Sequence, residues 1–367
     1  TAARPRAGRR ECPVMSAPLV SVILPFFNNA ATLGAAIRSI LRQTVSDFEL
    51  ILIDDGSEDG SLEAARRFRD PRIRLLRHER NRGPSAARNR GLDEMRGRFM
   101  APMDADDVCR RRRLAWTLEH LRAHPEIGVC GGRALYRGWG GPPFVGRLPW
   151  GADMVRAHLL FGMPSPHDAL LFRTQLLRDH QLRYAEDLPA AVDYDLYCRC
   201  AERAGVDNVR RVLVEYRHIP KGIVSTRGRA AAERLLRGLR ERLLALFPDG
   251  VTEETVRFHT RWGNGTGAAD TADLSAGRAW MERLQAANEA RRMYPPEGLA
   301  RAIALVWFRC CRNSAHLGRA AWHAWRNSPW RPYYRPEPAE ILSFLASSLA
   351  ARAVPSRRKP QGALAGL

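Results

Sequence analysis

Three short apolar runs, each stopping abruptly at polar or acidic residues, constrain this chain more than any other feature. Residues 19–27 read LVSVILPFF and end at Asn28, residues 48–53 read FELILI and end at Asp54-Asp55-Gly56-Ser57, and residues 98–102 read RFMAP and run through Met103 to Asp104-Ala105-Asp106-Asp107. Runs this short and apolar suit buried strands. Between and after them the spacing predicts helices at 32–41, 61–69, 84–96 and 111–123, with further strands at 72–76 and 127–131. In the first helix Leu33, Ile37, Ile40 and Leu41 share a face, and Thr32 stands at the cap position. Strand–helix alternation predicts an α/β sandwich with a mostly parallel sheet. Ligands of such sheets sit beyond the carboxyl ends of the strands, which is where Asn28, Asp55 and Asp104 fall.

Length bounds the organisation. At 367 residues the chain suits one large domain with a smaller appendage. The divisions expected are a basic arm at 1–18, an α/β domain at 19–228, a helical region at 229–355 and a disordered tail at 356–367. Residues 140–190 read as irregular and rich in Gly and Pro; a helix is expected at 194–204 and a strand at 209–216. Beyond 230 only helical runs appear, at 230–246, 274–292, 298–325 and 339–353.

The charge is lopsided: 59 Lys plus Arg against 39 Asp plus Glu, a formal net charge of +20. All but two of these cations are Arg, Lys occurring only at Lys221 and Lys359. Arg binds phosphate bidentately, so the bias suits phosphate-rich partners; GC-rich codon usage explains it equally well. Seven scattered cysteines show no zinc spacing and are too sparse for a disulfide scaffold, which favours a reducing, cytoplasmic setting. The first 18 residues have no apolar core of a signal peptide, and no run of about 18 apolar residues marks a spanning helix.

Two acidic turns could carry chemistry. Asp104, Asp106 and Asp107 concentrate hard oxygen ligands suited to Mg²⁺ or Mn²⁺, although acidic turns are also common as plain surface. Asp55 either caps a turn or accepts hydrogen bonds from a base or ribose. Arg88 and Asn89 stand on the opening turns of a helix, where phosphate is favoured, and read otherwise as a solvated basic face.

Taken in order, VSVILPFFN, FELILIDDGSEDGS, NRGPSAARNRG and MDADD closely resemble the blocks of the family-2 glycosyltransferases, and the resemblance spans about residues 18–225. It implies a GT-A fold and inverting transfer of a sugar from a nucleotide-diphosphate donor, UDP favoured, to an acceptor hydroxyl on a saccharide or lipid-linked carrier. By the same resemblance Pro25, Phe27, Asn28, Asp55, Arg88 and Asp104 surround the nucleotide, and Asp106, with Asp107 second, holds Mn²⁺ or Mg²⁺. Asp193 becomes the general base that takes the acceptor's proton, or else a helix cap; Val192 departs from the Glu usual before it. His167 maps to the acceptor side. His218 maps to a metal or diphosphate ligand but stands one position early. Envelope polysaccharide, lipopolysaccharide or glycolipid synthesis is the implied setting.

The segment 298–334 is rich in Trp and Arg, with Leu299, Ile303, Val306, Trp307 and Cys310 on one helical face. That face suits either an anionic membrane surface, giving peripheral attachment at the inner leaflet, or packing against the α/β domain or a second copy of the chain. Three rival readings remain. A nucleotidyltransferase needs a Gly-rich loop near the first strand, and PFFNNAATL offers none. A nucleic-acid-binding protein would explain the charge, but no recognition motif is present and no nucleic-acid partner is expected. A retired transferase serving as a scaffold draws on Val192.

Overall fold

The computed structural model describes residues 17–138, 141–188, 191–217, 238–239, 241–248 and 250–351. The central sheet forms as the apolar runs require. Strands β1 (Val20–Phe26), β2 (Phe48–Asp54), β3 (Ile73–Arg77) and β4 (Phe99–Pro102) are all parallel, with β1 between β2 and β4. Burial on both faces is why β1 and β2 are almost continuously apolar. Helices α1 (Leu33–Leu41), α2 (Ser61–Arg66), α3 (Pro84–Glu94) and α4 (Arg113–Ala123) lie within the expected spans, shortened at their ends.

Beyond β4 the sheet becomes mixed. Its order is β3-β2-β1-β4-β8-β6-β9-β5, with β5 (Val108–Cys109), β6 (Ile127–Arg137), β8 (Leu171–Arg173) and β9 (Gly205–Arg217); β7 (Phe144–Val145) pairs the edge of β6. β8 runs antiparallel to both β4 and β6, whereas β6 and β9 are parallel over a long ladder. The segment read as irregular holds α5 (Ala152–His158), β8 and α6 (Thr174–Asp179), and α7 (Val192–Ala201) follows. α5, β8 and α6 are too short for periodicity to reveal, whereas α7 overlaps the helix expected at 194–204.

Two close approaches seat the site. A Cβ on Gly91 would lie 2.4 Å from Cγ2 of Ile23, so this glycine lets α3 press against β1 and brings Arg88 to the strand tips. Gly56 has φ +79°, and a Cβ there would lie 2.8 Å from the backbone at Arg80, so the β2 turn and the loop before α3 pack main chain to main chain. At the opposite end of the strands, Glu49 accepts the Ser21 hydroxyl at 2.6 Å and pairs with Arg74 at 3.0 Å and Arg96 at 2.9 Å. That network, anchored on the buried Glu49, ties β1, β2, β3 and the end of α3 together.

The later helices are α8 (Glu253–Gly263), α9 (Thr271–Arg291), α10 (Pro296–Asn313), α11 (Arg319–Arg326) and α12 (Pro338–Ala350). α8 lies outside the expected runs, and the single helix expected at 298–325 is broken by a 3₁₀ turn ending at Gly318, φ +60°. α10 is buried on nearly every side: Leu299, Ile303, Val306, Trp307 and Cys310 are at most 1% exposed. The Trp-bearing face therefore packs inward, which removes this face from contact with a membrane. Its core is shared with Met154, Ala157, Leu160 and Phe161, so α5 and the chain just after it belong to the helical core although they precede position 228. The boundary at 228–229, His218, and nearly all of the arm and the tail lie outside the described residues. Among the described residues no helix is long and apolar enough to cross a membrane, and all six cysteines are free and buried.

Candidate active site

The β2 tip is an acidic turn whose two carboxylates face donors. Asp54 accepts the Ser57 amide at 2.9 Å and lies 3.3 Å from the Arg77 guanidinium. Asp55, 3% exposed, faces the His78 ring at 2.7 Å and accepts the amides of Arg82 at 3.0 Å and Gly83 at 2.8 Å. Asp55 thereby fixes the loop that opens α3. Beside it, Asn28 takes a left-handed conformation (φ +54°), receives the Glu58 amide on its side chain and donates its own amide to Ser57. Phe27 is 40% exposed at the same tip, and Pro25 is partly buried within β1.

The β4 tip is different. Arg88 donates to Asp104 at 2.7 Å and stacks over the Tyr184 ring at 5.6 Å. Burial works against ionising Asp104, but Arg88 and its other neighbours hold its carboxyl below the usual range. Burial and the Asp104 charge push Asp106 up to about 6. Asp107 accepts the Arg217 amide at 2.7 Å and turns toward Asp168, which is 1% exposed. Burial pushes both carboxyls of this pair up; the Asp168 charge raises Asp107 further, whereas the contact with Asp107 pulls Asp168 back down, and together they retain a proton. Arg113, 1% exposed, underlies the cluster and donates to the carbonyls of Pro102 at 2.8 Å and Leu170 at 3.1 Å.

The remaining predicted residues arrive from the second half of the chain. Asp193 stands in the first turn of α7, and its charge acts on Arg88, His167 and Tyr184. Val192 beside it is 8% exposed and packs in the apolar core. Nε2 of His167 meets the Tyr184 hydroxyl at 2.9 Å, and burial, with Arg88, lowers its pKa to about 4, so the ring is neutral. Arg88, Asp104, Asp106, His167 and Asp193 thus form one electrostatic unit, with Asp55 joined to it through the start of α3. Sequence reasoning missed Asp168, Tyr184 and Arg113. Arg113 is indistinguishable within the run 110–113, and neither of the other two sits in a block with a spacing signal.

Among the described residues no group of three or more His, Cys, Asp or Glu side chains is arranged to enclose a metal ion. The donor set nevertheless fits one bound openly. Asp104 and Asp106 supply hard oxygens from a crowded, partly buried pair, and Mg²⁺ or Mn²⁺ commonly takes one or two carboxylates and fills its shell with phosphate and water.

Parallel strand tips joined to a mixed half-sheet, with carboxylates, Arg88 and the buried Arg113 gathered at them, define a GT-A-type α/β scaffold. The model of the family described as "Glycosyl transferase family 2" matches residues 21–161. The succinoglycan biosynthesis protein ExoO of Rhizobium meliloti is 30% identical over 227 residues, 57% of this chain and 63% of that protein. A PGL/p-HBAD biosynthesis glycosyltransferase of Mycobacterium bovis is 33% identical over 193 residues, 51% of this chain and 71% of that protein. In structure, residues 1–349 of S. aureus TarS in complex with UDP-GlcNAc superpose with a TM-score of 0.52 at 16% identity, covering 91% of each chain. The chain belongs to glycosyltransferase family 2. It spans less than two thirds of the length of several relatives that it matches, 63% of one and 44% of another.

Proposed function

We propose that this protein transfers a sugar from a nucleoside-diphosphate donor to an acceptor hydroxyl with inversion, in the synthesis of an envelope polysaccharide or glycolipid. The observation that carries this reading is the Arg88–Asp104 pair standing within electrostatic reach of Asp193, a carboxylate from a helix about ninety residues further on. Names of relatives, a succinoglycan biosynthesis protein and a PGL/p-HBAD biosynthesis glycosyltransferase, support the setting. The UDP-GlcNAc complex of TarS supports a UDP-linked donor. Free, buried thiols support a reducing compartment.

In this reading Asp55 fixes the loop that borders the base, and Phe27 and Asn28 frame that border. Arg88 offers a guanidinium to the donor's phosphate side while restraining Asp104. Asp106 and Asp104 are the carboxylates that would hold Mn²⁺ or Mg²⁺. When bound, such an ion offsets the charge of the departing nucleoside diphosphate. Asp193 accepts the proton of the attacking hydroxyl as that oxygen bonds to the anomeric carbon and the bond to the diphosphate breaks. His167, neutral and tied to Tyr184, feels the charge of Asp193 and is placed on the acceptor side. The test is Asp193→Asn: transfer should fall about a thousandfold, while UDP binding changes by less than about twofold. Near-normal turnover in this variant would refute the base assignment.

A further inference from the structure

The four consecutive arginines at 110–113 do not share one fate. Arg110, Arg111 and Arg112 are exposed, whereas Arg113 is 1% exposed. Its main chain is held where α4 begins: Gln43 accepts the Leu114 amide at 3.1 Å and donates to the Arg110 carbonyl at 2.9 Å, and the Arg113 amide donates to that same carbonyl at 2.9 Å. The side chain is thereby turned into the protein, where its guanidinium donates only to neutral acceptors. Neutral acceptors offset part of the cost of burying a charge, not all of it. Stability alone is therefore a poor reason to keep a guanidinium at this position.

What those acceptors belong to is informative. Nη2 donates to the carbonyl of Pro102, the last residue of β4, at 2.8 Å. Nη1 donates to Sγ of Cys109, in β5, at 3.1 Å, and that sulfur lies 3.3 Å from Sδ of Met103. The loop that carries Asp104, Asp106 and Asp107 runs between Pro102 and Cys109, so one guanidinium holds both of its ends. Nη2 donates also to the Leu170 carbonyl at 3.1 Å, and Leu170 closes the 3₁₀ turn that carries His167 and Asp168. Two pieces of the site, distant in sequence, thus hang on one planar group.

We propose that Arg113 is a positioning residue for transfer: its guanidinium couples the loop of Asp104 and Asp106 to the turn of His167 and Asp168, and so fixes the donor-side carboxylates relative to the acceptor side. The assignment rests on the transfer reading above and deepens it. Arg113 itself touches neither donor nor acceptor and acts through the main chain of both segments. A guanidinium presents its donors at fixed angles in one plane, so it sets the spacing of its acceptors as well as contacting them. Lys offers the charge without the fork, and Met offers the length without either.

Hydrogen exchange of the full chain in EDTA, read by mass spectrometry on peptides covering 103–109 and 167–172, tests the coupling without nucleotide or metal. In Arg113→Lys and Arg113→Met both peptides should exchange about tenfold faster or more, while peptides from β1, β2 and α10 stay as in the wild type. Acceleration of one peptide alone, of neither, or of the whole chain equally would overturn the coupling. Calorimetric titration of UDP with Mn²⁺ reads the consequence for the site: affinity should fall about tenfold or more in both variants. Wild-type affinity in Arg113→Lys would show that charge suffices without the fork and would overturn the positioning role. Arg113→Lys keeps size and charge, so it carries both measurements if Arg113→Met does not fold. Glu49→Gln, a destabilising change at the other end of the strands, is the control for a structural role and should leave UDP affinity with Mn²⁺ unchanged; an equal loss there would reduce Arg113 to such a role. A wild type that binds no UDP with Mn²⁺ would sink the transfer reading, whereas the exchange result judges the coupling by itself.

Discussion

The tips of β2 and β4 both end in consecutive aspartates, yet they solve the problem of buried charge in opposite ways. At β2 the carboxylates face donors rather than one another: Asp54 accepts from Ser57 and lies 3.3 Å from the Arg77 guanidinium, and Asp55 meets His78 and two amides. At the other end of that strand Glu49 is met by Ser21, Arg74 and Arg96. At β4 the carboxylates crowd one another instead. Asp106 is raised by burial and by Asp104, and burial raises both Asp107 and Asp168. A satisfied carboxylate stabilises the fold it sits in; a crowded one keeps charge in reserve for a ligand that brings the missing positive charge. Similar acidic turns therefore build the scaffold in one place and the chemistry in the other.

The largest effect that separates the two tips is expected at Asp106. Asp106→Asn should lower transfer by about a hundredfold or more and abolish the Mn²⁺ dependence of UDP binding, with little change in thermal stability. Unchanged UDP affinity with and without Mn²⁺ would erase the distinction drawn here. A smaller effect of the opposite kind is expected at Glu49. Glu49→Gln should cost about 1–3 kcal/mol at pH 7, because it strips two guanidinium groups of their buried partner, and should leave transfer intact in the folded fraction. Burial opposes ionisation of Glu49, but hydrogen bonds from Ser21, Arg96 and Arg74 hold its pKa below the ordinary 4.5. That stabilisation is complete above pH 4.5 and disappears as the pH falls through the lower value of the folded state. Denaturant titrations of both proteins at pH 7 and pH 3 should show the gap closing in acid, and a gap that widened would mean the pairing does not stabilise the fold.

Much of this contrast was legible in the sequence, but not its sense. The strand–helix rhythm up to residue 131 and the positions of Asp55, Asp104 and Asp106 follow from apolar runs that stop at charged turns, because burial on both faces of a parallel sheet leaves that pattern, and Arg88 was legible on the opening turns of the helix between them. Which carboxylate would be satisfied was not legible. The partners of Asp55 come from the loop 78–83, and those of Asp107 from positions 168 and 217. Asp168 lies in a three-residue 3₁₀ turn within a stretch without periodicity, and only the antiparallel pairing of β8 with β4 and β6 carries it under the cluster. The helical region shows the same limit from the other direction. A Trp- and Arg-bearing amphipathic pattern is identical whether the apolar face meets lipid or protein, and here it meets α5 and the other helices.

The finest test of the contrast is Asp168→Asn. At a satisfied tip, removing a carboxylate oxygen leaves donors without an acceptor and the fold weakens. At the crowded tip burial raises both Asp107 and Asp168, so a second negative charge on that pair is disfavoured. An Asn at 168 could donate to Asp107, which would keep its hydrogen bond from Arg217 and become free to ionise. Metal-free stability in EDTA should therefore stay level or rise by about 0.5–1 kcal/mol, the reverse of the sign at Glu49. Adding Mn²⁺ and UDP should shrink that gain, because the ion offsets in the wild type the repulsion that the substitution removes. A loss of about 2 kcal/mol or more in EDTA would show that Asp168 is a structural acceptor like Asp55, and the two tips would then differ in partners but not in kind.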